Sequence, residues 1–365
     1  MKNVLLIHRS LGIGGAEKIF AFLANSLVAD YQVEVLLLSK GNATMDLDER
    51  IGVVQNDCYS NSPIVGRNMK SGLLGLRDMA ICIKDEANKF HADLVICFDL
   101  RILLATSLIK NKLSASVLFS ERADPYANPK YWAFLLKRIY KRIDFIVFQT
   151  DAAAGFYGDL IKGKSCVIPN PAFPRIGTVD RTNIETREPY IFAAGRFQRR
   201  KGFDLLIDAF CRMKDTIPNY KLVLFGEGEE EEKLIQLIKN NNADDCIEIR
   251  KPINGVIERN RCASLFVIPS RSEGIPNILI EAMYEGIPCV ATDCSPGGAR
   301  LLSGNGQYCL LAENDNSDSL AEKMKYAFVH YQEMLDNTIN AKKSLSRFDQ
   351  ENVKNMWLEV VRKII

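Results

Sequence analysis

The chain has 365 residues, of which 47% are hydrophobic and 25% charged, and a formal net charge of +2. That length allows two domains, each with its own core, and the composition is that of a globular protein rather than a disordered one. The near-neutral charge excludes a global electrostatic case for nucleic acid, and ten scattered cysteines without a CxxC pair predict buried free thiols rather than a disulfide scaffold.

The opening MKNVLLIH has too short an apolar run for a signal peptide, and no span approaches the roughly 18 apolar residues of a membrane helix. A cytoplasmic protein without an integral anchor is expected. Residues 3–7 predict a buried parallel strand, followed by a glycine turn (Gly12, Gly14, Gly15) that opens an amphipathic helix. The turn is not the dinucleotide fingerprint. Glu17 stands where the third glycine belongs, and Ser39 and Lys40 end the next strand where a ribose-binding acid is wanted. Residues 42–68 are polar with one weak strand, GVVQ. They include Asp46-Leu47-Asp48, formally a DxD metal motif, but it lies among loop residues, so no metal is expected.

A long helix is predicted from about Asn68 to Lys89. Lys70, Arg77 and Lys84 recur on it every seven residues, with Arg67 just ahead, which places the cations on one stripe. The stripe reads either as a solvated face or as a surface for anionic lipid and a lipid-linked diphosphate. Strands LVICF and SVLFS follow, and SERADPYANP places Glu121 and Arg122 at the carboxyl end of the second. In YWAFLLKRIYKRID aromatic and basic residues interleave, as on a helix resting on a bilayer or on a half-buried helix with snorkelling lysines. DFIVFQT and CVIPN predict two more strands, and the aperiodic stretch 170–189, rich in proline and polar residues, predicts the interdomain linker.

Six further strands then alternate with helices: YIFAA, KLVLF, CIEIR, LFVIP, PCVAT and QYCLL. After YIFAA come Gly195, Arg196, Lys201 and Gly202, a loop whose cations suit a diphosphate and whose glycines allow close backbone approach. Gly226 and Gly228 follow KLVLF, ahead of glutamates that suit a helix start. LFVIP leads to Glu273 in a loop, Pro276 within the first turn of a helix, and Glu281 on that helix. A carboxylate beside a donor-rich helix start, outside the carboxyl end of a strand, suits a phosphorylated ligand that carries hydroxyls. Gly297 and Gly298 mark another anion-friendly turn, and a terminal helix from about Gln350 carries Trp357.

In combination, Gly195-Arg196, Lys201-Gly202 and the pair Glu273 and Glu281 resemble the signature of glycosyltransferase family 4, and the resemblance extends over nearly the whole chain. It implies an α/β GT-B fold of two Rossmann-like doubly wound domains facing a cleft: an acceptor domain over 1–172, a sugar-nucleotide domain over 173–348, and a helix over 349–365 that crosses back to the first. It also implies retaining transfer of a sugar from a nucleoside-diphosphate sugar, most often a UDP-sugar, with neither cofactor nor metal. The acceptor would be a glycan or a polyprenyl-diphosphate-linked glycan in bacterial surface polysaccharide or oligosaccharide synthesis. By the same resemblance, Arg196 and Lys201 meet the donor diphosphate, Glu273 the transferred sugar and Glu281 the ribose. Gly14, Gly15, Gly195, Gly226, Gly228, Gly274, Ile275, Pro276 and Asn277 line the donor, while Glu121, Arg122, Lys70 and Arg77 face the acceptor. Family members often carry a histidine or an S-x-R-like segment where Glu121 and Arg122 stand. Two other classes fit part of the pattern: a sugar-nucleotide epimerase of the same fold, and a non-enzymatic nucleotide-binding module at a membrane.

Overall fold

Short strands that are apolar on both faces are stable only when helices cover both sides of their sheet, which requires parallel pairing and crossover helices. The chain does this twice. The structure, a computed structural model, describes residues 1–12, 15–40, 45–59, 69–127, 130–173 and 187–365. They divide into two units, Met1–Pro171 with Gln350–Ile365, and Ala172–Asp349.

In the first unit the strands are β1 (Asn3–His8), β2 (Gln32–Leu37), β3 (Gly52–Gln55), β4 (Leu94–Cys97), β5 (Ser116–Ser120), β6 (Phe145–Phe148) and β7 (Ser165–Val167). They form one parallel sheet in the order β3-β2-β1-β4-β5-β6-β7. Val4 to Ile7 and Leu94 to Cys97 have no exposed surface, as central strands covered on both faces require. Helices Gly15–Leu27, Met69–Lys89 and Leu100–Ile109 supply part of that cover. The last is started by Asp99, whose carboxylate accepts from the amides of Arg101 (2.8 Å) and Ile102 (3.2 Å). The terminal helix Gln350–Ile364 also belongs to this unit. Its Trp357 is fully buried and stacks on Phe98, with ring centroids 6.4 Å apart.

In the second unit the strands are β8 (Glu188–Ala194), β9 (Lys221–Phe225), β10 (Ile247–Arg250), β11 (Ala263–Ile268), β12 (Cys289–Thr292) and β13 (Leu310–Ala312), ordered β10-β9-β8-β11-β12-β13. This is the 3-2-1-4-5-6 order of doubly wound nucleotide-binding sheets, and the first sheet follows it with one strand added. The strand order reverses between β8 and β11, so the crevice outside their carboxyl ends is where a ligand is expected.

All thirteen apolar runs read from the sequence are strands, with shifted edges. β8 starts at Glu188, so Glu188 and Pro189 extend a strand rather than the linker, and β13 is Leu310–Ala312 rather than the whole of QYCLL. All ten cysteines are free thiols, but only Cys97, Cys289, Cys294 and Cys309 are buried; the other six are half-buried. Among the described residues no helix is long and apolar enough to cross a membrane.

Candidate donor site of the second unit

The loops that leave β8 and β11 flank the point where the strand order reverses. After β8 the chain turns at Gly195, the Gly195 amide bonding the Phe225 carbonyl (3.0 Å) and the Phe197 amide bonding the Glu227 carbonyl (2.8 Å). It then makes a short 3-10 turn, Arg199–Lys201, and enters helix Phe203–Cys211 through Gly202. Gly202 has φ +66, and a Cβ there would lie 2.0 Å from the Pro269 carbonyl oxygen. Only glycine permits this left-handed turn against the end of β11, and the turn is what delivers Lys201 to the neighbouring loop.

There the Lys201 ammonium donates to Glu273 Oε2, a contact between residues 72 positions apart in sequence. Both side chains are mostly buried, 21% and 17% exposed. Ser270 Oγ lies 3.4 Å from the same carboxylate oxygen, and Arg200 Nη1 lies 3.8 Å from it. Glu273 is fixed through its backbone as well, its amide bonding the Ser295 carbonyl (3.2 Å). Arg196 is exposed in the same loop, and its side chain has no partner among the described residues.

Helix Asn277–Tyr284 begins four residues after Glu273. Pro276 is its N-cap, with φ −73 and ψ 98, and not a residue of the first turn as expected; its carbonyl accepts from the Leu279 amide (2.9 Å). Ile275 and Pro276 are buried, while Gly274 and Asn277 are half-exposed at the helix start. Glu281, about one turn along, is half-exposed and lines a small hollow with Ala172, Ile257, Glu258, Ile280, Tyr284 and Glu285. The carboxylates of Glu273 and Glu281 therefore stand in different surroundings, one against cations and the other at a hollow that it shares with Glu258 and Glu285.

The glycines read from the sequence have distinct local reasons. A Cβ on Gly226 would lie 2.2 Å from the Gly195 carbonyl oxygen, and one on Gly228 would lie 2.5 Å from that of Phe197, so both let the post-β9 loop pack on the post-β8 loop. A Cβ on Gly298 would lie 1.8 Å from the Gly274 carbonyl oxygen. Gly195 has no such reason: a Cβ there would meet only the Phe203 ring, at 3.7 Å.

In the first unit, Gly15 opens helix Gly15–Leu27, while Gly14 and Arg67 lie outside the described residues. Asp48 is paired with Arg50 through Nε (2.8 Å) and Nη2 (2.7 Å), which holds its carboxylate pKa down at about 2. Glu121, which the resemblance places toward an acceptor, is turned into the unit's interior. It is 4% exposed, accepts from Tyr140 Oη and from the Ala123 amide (3.2 Å), and burial raises its pKa. Arg122 is likewise held by Ser120 Oγ (2.7 Å) and Asn170 Oδ1 (2.8 Å), over the rings of Phe98 and Trp357. Burial lowers its pKa to about 9 against the opposing charge of Glu121, and its Nη2 has no hydrogen-bond partner among the described residues. Lys70 and Arg77 are exposed on helix Met69–Lys89, whose Leu73, Leu74 and Ile81 are exposed too.

Reading motifs in order missed Arg271, Asp204 and Arg200. Arg271 binds both carboxylate oxygens of Asp204 (2.7 Å each), a contact between loops that sequence spacing does not signal. Arg200 was visible only as one of a run of cations.

Residues 178–344 match the family model described as Glycosyl transferases group 1. Over 338 residues the chain is 27% identical to the N-acetylgalactosamine-N,N'-diacetylbacillosaminyl-diphospho-undecaprenol 4-alpha-N-acetylgalactosaminyltransferase of Campylobacter jejuni, covering 89% of this chain and 90% of that protein. A second Campylobacter jejuni enzyme, an alpha-1,4-N-acetyl-D-galactosaminyltransferase acting on a diNAcBac-PP-undecaprenol-linked glycan, is 21% identical and spans 100% of this chain and 99% of its own length. Among solved structures, sucrose-phosphate synthase from Thermosynechococcus elongatus superposes with a TM-score of 0.83 at 16% identity, covering 100% of this chain and 99% of that one. Anabaena HepE in complex with UDP and glucose gives 0.80 at 18% identity, with both chains fully covered. With the two doubly wound sheets, these matches show a GT-B glycosyltransferase whose residues 178–344 match the group 1 glycosyl transferase model.

Proposed function

We propose that the enzyme transfers a sugar from a UDP-sugar, with retention of configuration, to a glycan or polyprenyl-diphosphate-linked acceptor in bacterial surface polysaccharide or oligosaccharide synthesis. One observation carries the donor assignment: a lysine and a glutamate 72 residues apart meet at the strand-order reversal of the second sheet, with Arg200 Nη1 3.8 Å from the glutamate. Lys201 has three N–H donors and Glu273 takes one, so the ammonium can serve a phosphate oxygen without leaving its partner. Lys201 and Arg196 neutralise the diphosphate and stabilise the charge that grows on it as the glycosidic bond breaks. Glu273 accepts from hydroxyls of the sugar, and Glu281 from those of the ribose. The helix start at Ile275–Asn277 completes the cradle, Pro276 contributing backbone shape because it has no N–H. The departing phosphate oxygen takes the acceptor proton on the face it leaves, so no second carboxylate is required and no metal or cofactor takes part.

The acceptor side rests on the first unit and on the relatives. Both Campylobacter jejuni enzymes are named for undecaprenol-linked diphosphate acceptors. Cations and apolar side chains alternate on the outer face of helix Met69–Lys89, where Leu73 and Leu74 are 51% and 56% exposed beside Lys70 and Arg77. Helix Lys130–Tyr140 adds Phe134, 60% exposed beneath the Arg138 guanidinium. Such faces suit an anionic membrane surface, where each cation contributes about 1 kcal/mol.

The test is product analysis with a panel of UDP-sugars and a polyprenyl-diphosphate-linked glycan, reading the anomeric coupling of the new bond by NMR. Transfer with retained configuration, reduced about a hundredfold or more in Glu273→Ala, is expected. Inverted product, or an epimerised sugar nucleotide formed without acceptor, would overturn the reading.

A further inference from the structure

The geometry points to Arg271 as a positioning residue of the donor site, a side chain that sets the register between the loop carrying Lys201 and the loop carrying Glu273. The inference rests on the donor site proposed above. Arg271 lies in the post-β11 loop two residues before Glu273, and its side chain is 15% exposed. Its Nη1 and Nη2 grip Asp204 Oδ1 and Oδ2 at 2.7 Å each, in the first turn of helix Phe203–Cys211. The same Nη1 donates to the Arg199 carbonyl (2.9 Å), and Nε donates to Asp315 Oδ1 (2.5 Å) beyond β13. The backbone repeats the pattern: the Arg271 amide donates to the Arg200 carbonyl (2.8 Å), and the Arg271 carbonyl accepts from Asn314 Nδ2 (3.0 Å).

Arg271 therefore holds residues 199, 200 and 204 on either side of Lys201, and residues 314 and 315 of a third loop. The backbone of Lys201 cannot shift relative to the Glu273 loop without straining this set. The chemistry requires arginine. Four of the five guanidinium N–H donors are placed by the planar fork, whereas a lysine ammonium presents three donors from one point and cannot bind Asp204 bidentately while reaching Arg199 and Asp315. Asp204 is suited to hold the fork as a carboxylate. Burial would raise its pKa, but the hydrogen bonds and charge of Arg271 hold it below the usual carboxylate range. Arg271 need not touch the donor. A 1 Å displacement of a contacting group costs about a hundredfold in rate, so its effect on the reaction passes through Lys201 and Glu273.

The experiment compares the full-length wild type with Arg271→Lys and Asp204→Asn, each held well below its melting temperature. Two readouts go beyond stability: the rate of Lys201 acetylation relative to exposed lysines, measured by mass spectrometry without nucleotide, and kcat and KM with UDP-sugar and acceptor. The expected result is Lys201 acetylated several-fold faster and kcat lowered tenfold or more, with the acceptor KM unchanged. Lower melting temperatures with unchanged Lys201 labelling, or with unchanged kcat, would overturn the inference. If either variant fails to fold, Asp315→Asn takes its place, since it removes only the negative charge facing Nε and leaves the Asp204 fork intact, and it should shift both readouts in the same direction by a smaller factor. Faster labelling in the variants of a wild type that neither binds UDP nor turns over a UDP-sugar would uphold the clamp and refute the donor site instead.

Discussion

Two motif glycines separate the demands of the fold from those of the ligand. Gly202→Ala places a Cβ 2.0 Å from the Pro269 carbonyl oxygen, 1.4 Å short of the 3.4 Å at which ordinary contact begins, and does so at φ +66. The left-handed conformation costs an L-residue about 1–2 kcal/mol, and forcing a group into a packed backbone costs about 1–3 kcal/mol more. The expected destabilisation of the second unit is about 2–5 kcal/mol. For a unit of this size each kcal/mol lowers the melting temperature by roughly 2–4 °C, which calorimetry resolves. Gly195→Ala is the control from the same loop, since its Cβ would meet only the Phe203 ring, at 3.7 Å. It should melt within about 2 °C of wild type yet bind UDP at least about tenfold more weakly, because the proposed donor approaches the backbone there. A Gly202→Ala protein that melts with wild type would refute the reasoning about the turn. A Gly195→Ala protein that binds UDP normally would refute the reasoning about donor approach.

Other predictions concern charge and pH. Burial raises the Glu121 pKa above its ordinary 4.5, so the native state holds that proton more firmly than the unfolded chain does, and its contribution to stability falls as the pH rises through and above 4.5. Glu121→Gln keeps an acceptor for Tyr140 and should gain stability relative to wild type between pH 5 and 8 in urea titrations; a constant difference across that range would contradict the assignment. Gly298→Ala would press on the Gly274 carbonyl 1.8 Å away and should shift the Glu273 loop. Transfer should fall with it, by about the hundredfold that a 1 Å misplacement costs, and normal kcat would show that the loop tolerates the displacement. Reversing Lys70, Arg77 and Lys84 to glutamate should weaken sedimentation with anionic vesicles by about a hundredfold at least, at about 1 kcal/mol per cation lost. Undiminished binding would return that helix to a plain solvated face.

Local pattern was enough to read the fold because each strand is a short run apolar on both faces, and such runs identify themselves without reference to any partner. The glycine and cation pattern around residues 195–202 and the carboxylate at 273 stood out for the same reason: each follows the end of a strand, whereas Glu281 on the next helix stood out only by its spacing from Glu273. The rest depends on contacts between distant segments. Nothing in the segment SERADPY distinguishes a Glu121 that faces a ligand from one that faces Tyr140, because the tyrosine arrives 19 residues later from a helix. Pro276 suits the N-cap and the first helical position alike, and only the ψ of 98 separates them. Arg271 looked like one more loop cation until Asp204 and Asp315 came to it from elsewhere in the chain.

The most direct measurement of the central claim is calorimetric titration of UDP, GDP, ADP and NAD into wild type, Lys201→Ala and Glu281→Ala. The account predicts that UDP binds wild type in preference to the other three, and that each substitution weakens it at least about tenfold, the worth of about 1.4 kcal/mol of lost contact. Binding of NAD in place of UDP, or UDP binding untouched by both substitutions, would contradict it.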